Sequence, residues 1–224
     1  METYKVRFGG FVFLQGSFKI SSDNVLFFDF VKLPKRGRVF ELGAGFGLGT
    51  VILAKRYPET EIVAVEYQRE LFELLKENLR LNGVENVKPV LCDIRRIEKC
   101  FEPQTADAVY SNPPFWRKEF LNPETSKDEV FVRANYEVET PFENFVSAAK
   151  YLLKSSKVFF FMFETARLVE VLETLRVFKF SPRRMRFVYP NRRKPSHVFF
   201  VESVLGGKGK NLKVEQPIYS TPSG

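Results

Sequence analysis

The stretch Arg38-Val39-Phe40-Glu41-Leu42-Gly43-Ala44-Gly45-Phe46-Gly47 decides the fold. Arg38 to Leu42 is an apolar run holding one acid, the pattern of a strand buried on both faces. Gly43, Gly45 and Gly47 then permit tight turning and close backbone approach to a ligand. A helix over 48–56 follows, with Val51, Ile52 and Ala54 apolar, and Tyr57-Pro58 stops it.

The same unit recurs downstream. Glu61 to Glu66 is a second strand, and Tyr67 to Leu81 a long amphipathic helix with Leu71, Leu74, Leu75 and Leu79 near helical spacing. Asn82-Gly83 ends it. Val87 to Leu91 is a third strand, closed by Cys92-Asp93, and Ala106 to Tyr110 a fourth, closed by Ser111-Asn112-Pro113-Pro114-Phe115. Residues 116–140 are charged and weakly patterned, a length of loop that is usually functional or disordered. Helices over 141–153 and 165–178 flank a fifth strand at Lys157 to Phe163. Two last strands, Arg186 to Tyr189 and His197 to Val204, have no helix between them and predict an antiparallel hairpin. Alternating strands and helices predict an α/β protein with a mostly parallel sheet covered on both faces.

Upstream, a short hairpin through Gly9-Gly10 is expected, then a helix from Val25 to Val31 capped by Asp23. The expected organisation is one domain: a hairpin and helix over 1–37 packed on a core of 38–204, with a basic flexible tail over 205–224.

Composition narrows the function. No apolar run approaches the roughly 18 residues of a membrane span, and Met1 to Lys5 lacks a signal-peptide layout, so a soluble cytoplasmic protein is expected. Two cysteines, Cys92 and Cys100, and one histidine leave little for a metal site or a His-based triad. The cysteines are expected to be reduced, and His197 to be a strand-edge residue. A net charge of +8 favours a polyanionic partner such as nucleic acid, or equally a charged, soluble surface.

The chemistry lies at the strand ends, where open α/β sheets bind ligands. The Gly-rich turn lacks the Gly-Lys-Ser/Thr of a P-loop, and Glu41 would repel a pyrophosphate while suiting a cationic amino-acid group. Glu66 follows Gly43 by 23 positions, where an acid accepts ribose hydroxyl protons. Asp93 can take an adenine amino group. Acids after three successive strands describe S-adenosylmethionine: amino acid, ribose and adenine. Tyr67 and Ile94, next to two of these acids, belong to the same candidate set. At Asn112-Pro113-Pro114-Phe115, two prolines stiffen a strand-ending turn that carries an amide, backbone carbonyls and a ring. That suits a flat group bearing an NH2.

With these pieces in place the chain resembles the Rossmann-like class I methyltransferases that act on planar amino groups, whose Asn-Pro-Pro-Tyr/Phe signature matches 112–115. It is most similar to the bacterial tRNA1(Val) adenine-N6 methyltransferase family, through Phe18 to Leu26, Arg133-Ala134-Asn135-Tyr136-Glu137 and Ser181 to Tyr189. The family usually has Arg-His where Asn135-Tyr136 stands. The resemblance implies a seven-stranded, mostly parallel sheet with a C-terminal antiparallel hairpin. It implies S-adenosylmethionine as cofactor and methylation of adenine N6 in tRNA at position 37. Asn112, Pro113, Pro114 and Phe115 would hold and stack the base, with Asn112 also near the cofactor. Lys19, Ser22 and Asp23 would lie by the cofactor's methionine end, with Glu41, Gly43, Gly45, Gly47, Glu66 and Asp93 completing its site. Arg133, Arg183, Arg184, Arg192, Arg193 and Lys194 would contact RNA. Alternatives that share the signature are glutamine N5 methylation of a protein and guanine N2 methylation of ribosomal RNA. A non-catalytic RNA-binding protein on a decayed methyltransferase fold is the alternative from another class.

Overall fold

The computed structural model describes residues 3–16, 20–117, 119, 121, 128–207 and 211–220. Strand β3 (Gly37–Leu42) lies at the centre of its sheet. It pairs in parallel with β4 (Thr60–Glu66) on one side and β6 (Ala106–Ser111) on the other. Val39 packs into the core on one face of the sheet and Phe40 into the core on the other. The continuous apolar run follows from that double burial.

Beyond β4 lies the edge strand β5 (Val87–Leu91), where Pro89 is tolerated because no further strand needs its missing N–H. Beyond β6 come β7 (Leu153–Glu164), then antiparallel β9 (Val198–Leu205), then β8 (Phe180–Tyr189). These are the seven expected strands, in order β8-β9-β7-β6-β3-β4-β5. Two short strands, β10 (Lys213–Val214) and β11 (Ile218–Tyr219), pair with β8 and bring the sheet to nine. Residues 211–220 therefore do not behave as the expected flexible tail. Glu215 ties them down, pairing with Arg186 at 2.6 Å and Arg184 at 3.6 Å.

Helices α1 (Ser22–Phe30), α2 (Leu48–Arg56) and α3 (Arg69–Leu81) cover one face. Helix α4 (Glu129–Asn135), within the stretch expected to be irregular, packs on the same side through Val130, Phe131 and Ala134. Helices α5 (Phe142–Leu152) and α6 (Leu168–Val177) cover the other face. Each fully buried Phe or Leu in these layers contributes about 1.5–3 kcal/mol over its exposed state.

The N-terminal hairpin, β1 (Tyr4–Phe8) with β2 (Phe11–Gln15), is separate from the main sheet. Two amide side chains one turn apart, Asn78 on α3 and Asn82 at its C-cap, stand in for a neighbouring strand. Asn78 accepts from Leu14 N at 2.6 Å and donates to Leu14 O at 2.9 Å, while Asn82 accepts from Val12 N at 3.0 Å and donates to Val12 O at 2.7 Å.

The two cysteines do not stay free. A 3-10 turn, Ile94–Lys99, brings the chain back over the end of β5, and Cys92 and Cys100 form a disulfide.

Candidate active site

A cavity of about 660 Å3 opens at the carboxyl ends of β3, β4, β6 and β7. That size lies within the roughly 300–1,000 Å3 of small-molecule sites. Its two halves are built differently.

The first half surrounds the Gly-rich turn. Gly43 N and Ala44 N both donate to Val65 O, at 2.9 and 3.0 Å, so the turn is bonded to β4. Gly45 stands at φ 58°, and a Cβ there would meet nothing within 4 Å. The constraint on that residue is conformational, and the space beside it is free for a ligand. Gly45 N donates to Glu66 Oε2 at 2.8 Å, and Tyr67 N and Gln68 N donate to Oε1 at 2.9 Å each. Glu66 is 4% exposed, and burial raises its pKa while these three amides oppose the shift. The acid is thus fixed before any ligand arrives.

Glu41 is equally buried. Thr50 Oγ1 and Tyr110 OH both donate to its Oε2, Tyr110 at 2.9 Å. Burial pushes its pKa up to about 8, against those two hydrogen bonds. Its Oε1 faces Gly49, where a Cβ would stand 2.7 Å from that oxygen and 2.4 Å from the Phe28 ring. Only glycine fits between acid and ring.

Cys92, Ile94, Tyr67 and Leu71 also line this half. Asp93 does not. Arg95 Nε lies 2.9 Å from both of its carboxylate oxygens and Arg95 Nη2 2.7 Å from one, and Asp93 Oδ1 also accepts from Arg95 N as a helix cap. The expected adenine contact is therefore committed within the chain, and Ile94 is the neighbour that reaches the cavity. Ser22 and Gly47 do not line it either: Gly47 is the N-cap of α2, and Ser22 begins α1. Lys19 lies outside the described residues.

The second half centres on Asn112. Ser111 Oγ donates to Leu42 O at 2.7 Å, which locks the end of β6 beside Gly43. Asn112, Pro113, Pro114 and Phe115 all line the cavity. Asn112 Nδ2 donates to Asn24 Oδ1 at 3.2 Å, while Asn112 Oδ1 is buried without a hydrogen-bond partner. An orphaned buried acceptor costs about 1–3 kcal/mol and calls for an explanation. The Phe115 ring packs at 5.8 Å from Phe163, and its carbonyl accepts from Arg167 Nη1 at 3.2 Å. Arg167 is 7% exposed, bonded also to Glu137 and Glu170, and stacked over Phe163 at 4.8 Å. The two carboxylates more than offset the burial that opposes its charge, so its pKa is raised.

Ser21, not Asp23, caps α1, accepting from Asn24 N at 3.2 Å. Asp23 is thereby free to meet His197, whose Nε2 lies 2.8 Å from Asp23 Oδ2. Antiparallel β9 starts opposite the cavity end of β7, so the residue before it, His197, enters the lining beside Glu164. His197 is thus a cavity residue and not a plain strand edge. Asp23 Oδ1 and His197 Nδ1 are, like Asn112 Oδ1, buried and unpartnered. His197, Glu164 and Arg167 carried no motif, because each meets the site from another strand or helix.

The basic residues divide. Arg133 lines the cavity, held loosely by Glu129 at 3.5 Å. Arg192, Arg193 and Lys194 are exposed on the β8–β9 turn, at the same end of the sheet as His197. Arg183 is the bulged residue of β8, several residues back toward the opposite end. Arg184 is structural: it pairs with Glu202 at 2.8 Å, donates to Phe30 O at 2.9 Å and stacks 3.9 Å over the Phe30 ring. It is not available for RNA. Among the described residues no group of acidic, His or Cys side chains is arranged to hold a metal ion, and no helix is long and apolar enough to cross a membrane.

Comparison with known proteins agrees with this geometry. The family model "Methyltransferase small domain" matches residues 9–170. The tRNA1(Val) (adenine(37)-N6)-methyltransferase of Dyadobacter fermentans is 24% identical over 66% of this chain and 60% of its own. The tRNA (guanine(37)-N(1))-methyltransferase Trm5b of Pyrococcus abyssi is 37% identical over 40% of this chain, which spans only 26% of that protein. M. jannaschii TYW2, solved in complex with AdoMet, superposes with a TM-score of 0.61 at 18% identity, covering 91% of this chain and 86% of its own. The class I methyltransferase fold is shared, and S-adenosylmethionine is the cofactor that goes with it. The cavity fits that molecule: an open Gly45, a fixed buried acid in Glu66, and orphaned polar atoms on Gln68 and Asn112. The chain belongs to the methyltransferase small domain family.

Proposed function

We propose that this protein is an S-adenosylmethionine-dependent N-methyltransferase acting on the exocyclic N6 of an adenine in tRNA, at position 37 by likeness to its relatives. The observation that supports this most is the orphaned Asn112 Oδ1 in a stiff Pro-Pro turn, beside Phe115. An acceptor held there without a partner is what an NH2 donor would satisfy.

In this reading Glu66 accepts the ribose hydroxyls, Ile94 and Tyr67 flank the adenine of the cofactor, and the backbone from Gly43 to Gly45 carries its methionine portion. When bound, S-adenosylmethionine supplies an electrophilic methyl on a sulfonium. Asn112 Oδ1 and the Pro113 carbonyl oxygen accept both protons of the target NH2. Those two bonds turn the nitrogen lone pair toward the cofactor end of the cavity. Phe115 stacks on the base once it has left its own stack. The rate gain comes chiefly from orientation in a dry pocket, which is worth about 7–11 kcal/mol at best. The amine proton leaves late, as the nitrogen becomes cationic, so no strong base is required.

A glutamine amide is also a planar NH2. The exposed Arg192, Arg193 and Lys194 at the same end of the sheet favour a phosphate-bearing substrate over it. Incubation with labelled S-adenosylmethionine and total tRNA, followed by nucleoside analysis, tests the proposal. N6-methyladenosine is expected. A folded, cofactor-binding protein that leaves every adenine unmodified would overturn it.

A further inference from the structure

Trp116 is the one tryptophan of the chain. It lines the mouth of the cavity directly after the Asn112–Phe115 turn. Its backbone is fixed on both sides. Trp116 N donates to Asn135 O at 3.1 Å, and Trp116 O accepts from Glu137 N at 2.9 Å, forming a bridge to Tyr136 just beyond α4.

The indole is held by ring edges. Tyr136 meets it at 5.3 Å and 71°, Phe115 at 6.3 Å and 84°, and Phe131 at 6.4 Å and 51°. None of these rings lies parallel to the indole, and Trp116 is 42% exposed. A rigid, amphipathic ring left open at the cavity is the composition of a binding anchor rather than of a core. Arg133 lines the same mouth, and Glu129, its partner, is 82% exposed, so the guanidinium has no buried commitment.

We propose that Trp116 is a stacking platform for the base next to the target base in single-stranded RNA. Phe115 and Trp116 are consecutive, so two neighbouring bases meet two neighbouring rings, with Arg133 placed for the phosphate between them. Stacking tolerates any base and favours the larger purine face. The protein thus recognises a dinucleotide step, with a purine preferred beside the adenine. This rests on the nucleobase reading of the site.

The test uses the full chain with S-adenosylhomocysteine and a short single-stranded oligoribonucleotide holding one adenine. Its neighbours are, in turn, purine, pyrimidine and abasic. Because Trp116 is the sole indole, its fluorescence reports the contact directly. Quenching by the purine and pyrimidine oligonucleotides, and its loss when the stacking neighbour is abasic, is expected. In turnover, Trp116→Ala should raise KM roughly five- to hundredfold, the loss of one base–ring stack. The change in kcat should be much smaller, and Trp116→Phe should recover most of the effect. Calorimetry of cofactor binding confirms that each variant is folded. Adenine methylation without quenching, or a Trp116→Ala effect equal on normal and abasic oligonucleotides, would overturn the platform and leave the proposed reaction standing. Quenching without methylation would do the reverse. Quenching by a glutamine peptide and not by RNA would overturn both.

Discussion

The two halves of the cavity contrast in how they are held. Around Glu66 the acid takes its bonds from backbone amides in its own turn and the adjoining Gly-rich turn, and needs nothing from distant side chains. Around Asn112 the polar groups come from α1, β7 and β9 as well as β6, and three of their atoms remain buried without partners. A site made by backbone geometry is complete on folding. A site made by converging side chains is finished by what binds there. Glu66 is therefore preformed, although Gln68 Oε1 beside it is also orphaned, and on the proposed reading the substrate relieves the standing cost at Asn112.

The largest expected effect probes how the acceptor half is supported. Arg167→Met leaves the largely buried Glu137 carboxylate without its cation, and stability should fall by up to about 3–5 kcal/mol in urea unfolding. A loss no larger than a surface substitution gives would mean that Phe115 is not positioned through this arginine. Next, Asn112→Ala should lower kcat by about 10²–10³, the loss of one oriented hydrogen-bonding group, while cofactor affinity changes far less. Equal losses in both would erase the division between halves. Glu66→Gln should weaken S-adenosylmethionine binding about ten- to a hundredfold, as expected for charge-assisted bonds worth about 1.5–3 kcal/mol. The rate at saturating cofactor should be nearly intact.

The pH-dependent effect concerns Glu41. Below its ordinary value near 4.5, both folded and unfolded chains hold the proton. Between there and about 8 the folded chain keeps a proton that the unfolded chain has released. Stability should therefore fall as pH rises across that window, by at most about 1.4 kcal/mol per pH unit from this group. Glu41→Gln should remove that part of the slope, measured as the difference between the two unfolding curves. An unchanged slope would show that Thr50 and Tyr110 hold a charged Glu41 after all.

The same contrast explains what was legible in the sequence. Hydrophobic runs and glycines located β3 to β6 closely, since each is set by neighbours in the chain. Spacing alone places Glu66 at the cavity, because strand, turn and acid form one local unit. Asp93 shows the limit of the same signal: its position at a strand end is visible, but its pairing with Arg95 two residues on is not. His197 and Glu164 could not be found by spacing, since antiparallel β9 carries His197 to the cavity from far along the chain. The Cys92–Cys100 bond depends on a 3-10 turn that no periodicity marks. Arg184 looked like part of a basic cluster, yet its charge is spent on Glu202 and a Phe30 ring.

Asn78 has a third side-chain bond besides the two to β2: its amide also donates to Phe46 O at 2.7 Å, inside the Gly-rich turn. One side chain thus joins the hairpin, α3 and the cofactor turn into a single cooperative unit. In amide hydrogen exchange Leu14 should not open with the chain terminus near it but with the cofactor turn. Slowed exchange at Leu14 on adding S-adenosylmethionine would make the hairpin a distant reporter of occupancy, with no contact of its own to the ligand.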